Sequence, residues 1–109
     1  MIVRVASTTP SKPLAHSLMA LIKQVLEDGE FEDGDDTIVV QTIGASALNQ
    51  AVKGIAIAHL LLARDGIQLF VTPQWTNVQV GEEQQQQSAI QLYLHVKQDE
   101  EESPESLID

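Results

Sequence analysis

The chain has 109 residues, 43% of them apolar, and no cysteine. That is one domain with a packable core, and it excludes disulfide scaffolds, zinc knuckles, iron–sulfur ligation and thiol catalysis. Net charge is −10, which taken whole argues against a nucleic-acid partner.

The opening residues MIVRVASTTP lack the charged-then-apolar build of a signal peptide. Ile2–Ala6 is a β-branched run that predicts a first strand, and Ser7-Thr8-Thr9-Pro10-Ser11 predicts a loop. Ser11 reads as an N-cap, with Pro13 tolerated in the first turn. Leu14, Leu18, Leu21, Ile22 and Val25 then form one stripe of an amphipathic helix, with His16 and Lys23 on its other face. Gly29 and a run of acids end it.

Thr37–Ile43 (TIVVQTI) predicts an inner strand, covered on at least one face. Gly44 breaks it, and a second helix is expected from about Ser46 to Ala63. Its first turns carry Ser46, Asn49, Gln50 and Lys53, whereas Ile55 to Leu62 is apolar nearly all round apart from His59. A helix apolar on every side is buried or covered by a partner, so Ile57, Leu60 and Leu61 are expected at a subunit interface. Ala47, Ala51, Gly54 and Ala58 make a small-residue stripe suited to close packing on a sheet. The longest apolar stretch, Gly54 to Ala63, has ten residues, so no membrane span is expected.

Asp65-Gly66 predicts a turn. Ile67–Thr72 and Trp75–Val80 alternate as strands around Pro73, which suits an edge. Glu82–Gln87 reads as the polar tip of a hairpin that Ser88–Val96 closes. There Ile90, Leu92, Leu94 and Val96 face inward, and Gln91, Tyr93 and His95 face outward. The order is β-α-β-α-β-β.

The acids are not spread evenly. Residues 27–36 hold seven carboxylates and the residues after Lys97 hold six, out of 16 in all. The remaining chain, with Arg4, Lys12, Lys23, Lys53, Arg64 and Lys97 against Asp65, Glu82 and Glu83, carries +3. We therefore expect a domain over 1–97, with an acidic loop at 27–36, and a solvated acidic tail over 98–109. The tail is expected to compete with an anionic ligand for the basic body.

Two strand-to-helix loops emerge at one end of a β-α-β unit, and helix N-termini suit phosphate. No GxxxxGK[ST] or GxGxxG is present, so a nucleotide site is not expected. His16, His59 and His95 sit on three elements without metal-ligand spacing, and no Ser lies in a GxSxG elbow, so neither a metal nor an enzymatic activity is expected. His59 reads as a hydrogen-bonded core or interface residue. Trp75 reads as hairpin packing, because the aromatic clusters of RNA-binding sheets are missing.

Residues 43–58, IGASALNQAVKGIAIA, resemble the IGAGALNQAVKAIAIA-type segment of the stage V sporulation protein S family. Pro73–Val80 (PQWTNVQV) is similar to that family's P-x-aromatic-T-D/N-I-Q-I strand, and Ile2–Ser7 to its opening VLKVS. The resemblance covers about residues 1–96. It implies an Alba-like α+β two-layer sandwich, with a mixed four-stranded sheet and two helices on one face. It also implies a dimeric or tetrameric regulator that binds DNA or RNA. The acidic loop and tail depart from typical members. Gln50 stands where the Alba pattern has lysine, the loop arginine is missing, and Lys53 one turn on is the replacement.

The expected function is that of a cytoplasmic, non-enzymatic regulator needing no cofactor. It would bind nucleic acid weakly through Ser11, Lys12, Gly44, Ser46, Asn49, Gln50 and Lys53, with the hairpin tip reaching along a duplex. The rival is a protein-interaction or assembly module that keeps the fold and has lost that ligand.

Overall fold

A computed structural model describes residues 1–29 and 38–98. Most of the acidic loop and all of the tail beyond Gln98 lie outside the described residues. The elements run β1 (Ile2–Val5), α1 (Ser11–Glu27), β2 (Val39–Thr42), α2 (Ala45–Ala63), β3 (Ile67–Val80) and β4 (Gln85–Gln98). The strands form one sheet in the order β1-β2-β4-β3. β1 runs parallel to β2, and β4 is antiparallel to both β2 and β3. The expected α+β order and mixed sheet are therefore what the chain adopts.

Periodicity accounts for the two layers. Leu14, Ala15, Leu18, Ile22 and Val25 bury one side of α1, and Ala47, Ala51, Gly54, Ile55, Ala58 and Leu62 bury one side of α2. Both sides meet the sheet face that carries Val5, Val40, Leu69, Leu92 and Leu94. The small-residue stripe also brings the helices together. A Cβ on Gly54 would stand 2.7 Å from Leu14 Cδ2, so glycine is what lets α1 come this close. Thr42 is the one buried polar residue among those described. Its hydroxyl donates to the Ile90 carbonyl at 3.1 Å, so it carries no unpaired-donor cost.

Pro73 falls inside a single 14-residue strand and does not separate two. β3 is an edge strand, whose outer side has no ladder for the missing N–H to break. On that same strand the Leu69 amide donates to His59 Nδ1 at 3.2 Å. His59 is thus hydrogen-bonded as expected, but it is an exposed residue of α2.

The hairpin turn is shorter than its sequence indicates. Only Gly81–Gln84 turn, with the Gln84 amide donating to the Gly81 carbonyl at 3.2 Å. Gln85, Gln86 and Gln87 belong to β4, opposite Val80, Gln79 and Val78. β2 pairs with β4 only from Ile90 to Tyr93. The outer part of the hairpin therefore pairs only with itself and projects as a two-stranded arm past Thr42, the end from which the β2–α2 loop leaves.

α2 is longer than its ten-residue apolar run. By length and composition its 19 residues qualify for a membrane crossing. Here it lies across the sheet with one side buried and Val52 and Leu60 exposed at 52% and 62%. Its apolar character is thus split between core and surface, with the expected interface residues Leu60 exposed and Ile57 and Leu61 half-buried.

Candidate functional site

Both strand-to-helix connections open without a side-chain cap. α1 starts after Pro10, whose carbonyl accepts the Leu14 amide at 3.2 Å; Ser11 is already helical, and the expected serine cap does not form. The loop before it is held by Thr9, whose Oγ1 accepts the Ala6 amide at 2.9 Å. α2 starts after Gly44, whose φ of 89° and ψ of 158° belong to backbone that is essentially glycine's alone. Neither helix has an acid in its first turn. Each N-terminus therefore presents amides, and about half a positive charge, with no carboxylate close along its helix to offset it.

A cleft of about 460 Å3 lies where β1 and β2 end beside α2. Among its lining residues are Arg4, Ser7, Gln41, Gly44 and Ser46. Of the residues expected at the site, Gly44 and Ser46 line this cleft. Ser11, Lys12, Asn49, Gln50 and Lys53 do not; Ser11 and Lys12 open α1, Asn49 and Gln50 lie in the first two turns of α2, and Lys53 lies in its third. Lys12, Asn49 and Lys53 are exposed. The two helix starts are joined by Gln50, whose side-chain Nε2 donates to the Thr9 carbonyl at 2.8 Å. Gln50 is thus a brace between loops, partly buried, and differs from a free surface ligand.

Arg4 and Gln41 were missed because neither sits in a loop or motif. They face each other across the parallel β1–β2 register, which only the pairing reveals. Trp75 departs from its expected role as well: it is 70% exposed on the arm and is not packed in the hairpin.

The two acidic stretches join the described fold at one end of the sheet. The first acidic stretch follows α1, and β4 finishes at Gln98, opposite Ile67 at the start of β3. Both are rooted at the end of the sheet away from the cleft. From Gln98 to Ile90, which pairs with Thr42, is eight residues of strand, or about 27 Å. At that far end Lys23 Nζ pairs with Asp65 Oδ2 at 2.7 Å, which takes one cation out of the basic inventory. Among the described residues, no group of three or more His, Cys, Asp or Glu is arranged to hold a metal ion.

The family model described as stage V sporulation protein S (SpoVS) matches residues 1–97. The chain belongs to that family. Among solved structures, Alba from Thermoplasma volcanium is similar with a TM-score of 0.50 at 16% identity. The match covers 87% of this chain and 99% of that one. At that identity the likeness establishes the SpoVS chain's Alba-like fold and nothing about its ligand.

Proposed function

We propose that this protein is a non-enzymatic regulatory module that binds nucleic acid, DNA or RNA, weakly through its two strand-to-helix loops. The observation that carries the reading is where the described cations stand. In a chain of net charge −10, Arg4 lines the cleft, Lys12 opens one of two helix starts free of acid, and Lys53 stands in the third turn of the other helix. Phosphate is the ligand such an end attracts, because backbone amides and cations act on it together.

Gln50 contributes by holding the loops in register, and Lys12 and Lys53 contribute charge. The arm extends past the same end, but its turn carries Glu82 and Glu83. Those carboxylates repel phosphate, so the arm's contacts would come from its glutamines and not from its tip. The acidic tail, expected to compete with an anionic ligand for the basic body, lies outside the described residues.

A second reading has its own support. Val52, Ala56 and Leu60 recur every four residues on the exposed side of α2, with half-buried Ile57 and Leu61 beside them. That stripe fits a second copy of the chain, and self-association would set two basic ends on one nucleic acid. Binding of a labelled oligonucleotide at about 50 mM salt, by wild type and by Arg4→Glu and Lys53→Glu, tests the main reading.

A further inference from the structure

The two helices cover one face of the sheet, and among the described residues no element covers the other, open face. We infer that this open face is a platform for single-stranded nucleic acid, with bases stacked on Phe70 and Tyr93 and the backbone led toward Arg4 and the cleft. The inference rests on the nucleic-acid reading above and names the form of ligand.

Register puts the pieces together. Phe70 lies opposite His95, and Tyr93 opposite Thr72, so the two residues are diagonal neighbours on adjacent strands, their Cα atoms roughly 7–8 Å apart. Phe70 is 51% exposed, an unusual position for a phenylalanine within a sheet. Beside the rings the polar groups are tied in a row. The Tyr93 hydroxyl donates to Gln91 Oε1 at 3.2 Å, and Gln91 Nε2 donates to Gln41 Oε1 at 2.8 Å. Gln41 also lines the cleft beside Arg4. Aromatic rings, side-chain amides and a phosphate-suited helix start therefore form one continuous surface.

Charge identifies the occupant. Sixteen carboxylates are present in the chain, yet none lies in any of the four strands. Arg4 and Lys97 both fall on the open face by alternation, six residues of β4 apart through the Gln41–Gln91 pairing, about 20 Å along the strand. An acid-free face with cations at both ends and rings between suits a polyanion with accessible bases. A duplex hides its base faces in the stack, whereas a single strand offers them. The row across this face from Ile2 runs through Val39 and Tyr93 to Thr72 beside Phe70, while the amides of Gln41, Gln91 and Gln74 make the parallel row that starts at Arg4.

The test uses the full chain and fluorescence anisotropy with labelled oligothymidine and oligouridine strands of about 16 nucleotides, and a duplex of the same length. Phe70→Ala should weaken both single strands about ten-fold or more, with Phe70→Trp close to wild type and duplex binding unchanged. A strand of the same length lacking its bases should bind wild type as weakly as the normal strand binds Phe70→Ala. The two sugar chemistries tell RNA from DNA. Single-strand affinity indifferent to Phe70→Ala, or lost equally for duplex, overturns the platform. A smaller sedimenting species for Phe70→Ala than for wild type also overturns it, by assigning the face to a second copy. If duplex binding responds to Lys53→Glu while single strands ignore Phe70, only the platform fails; if no oligonucleotide binds, the underlying reading fails with it.

Discussion

The side-chain amide of Gln50 reaches across from the second turn of α2 to the carbonyl of Thr9, 2.8 Å away, and so joins the two loops of the candidate site. The bond is partly buried and links residues 41 apart in sequence. Replacing Gln50 by Ala removes the donor and leaves the carbonyl to water. A loss of about 1 kcal/mol is expected, seen as a Tm lower by about 4–8 °C. Oligonucleotide affinity should fall less than in Lys53→Glu. Unchanged melting would mean the bond contributes nothing to loop order.

Gly54 and Leu14 make the closest approach between the helices. A valine at 54 would force its Cβ to within 2.7 Å of the Leu14 side chain as it stands, so Gly54→Val should cost about 1–3 kcal/mol by overpacking. Leu14→Ala alone empties a buried site and should cost about 2–5 kcal/mol. Together they should cost less than the sum, because the smaller residue makes room for the larger. Additive denaturation midpoints would show that the two side chains do not meet.

Gly44 is constrained by backbone alone. Nothing lies within 4 Å of a Cβ built there, yet its φ is 89°. Gly44→Ala should therefore destabilise by about 1–3 kcal/mol through strain, without a packing defect. In urea the midpoint should fall while the slope stays constant. A neutral result would mean the loop relaxes to a different path.

Much of this was legible beforehand. The stripe from Leu14 to Val25 marks α1, the β-branched run around Val39 and Val40 marks the inner strand, and Pro73 marks an edge, because burial and backbone chemistry are local. What sequence hid depends on register. Phe70 and Tyr93 are 23 residues apart and look unrelated until β3 and β4 are aligned. Arg4 looks like an ordinary strand residue until β1 is set beside β2. Gln50 reads as a ligand because nothing local reveals its bond to Thr9. Ser11 reads as a cap, yet helix α1 begins one residue earlier, where Pro10 supplies the first carbonyl.

Self-association is best tested at Leu60. It is 62% exposed, whereas Leu62 is fully buried, so Leu62→Glu would simply unfold the domain. Leu60→Glu should keep wild-type melting and shift sedimentation toward monomer. A wild-type protein that is already monomeric at micromolar concentration would remove the α2 stripe as an interface.

The central claim is that the cleft end binds nucleic acid through phosphate. The most direct measurement is oligonucleotide affinity as a function of salt, for wild type and for Arg4→Glu and Lys53→Glu. Both side chains are exposed, so both variants should melt with wild type. The account predicts binding at about 50 mM salt that fades toward about 200 mM, with each variant weaker and its log–log salt slope shallower by about one. No binding at about 50 mM, or variants that bind and respond to salt as wild type does, would contradict it.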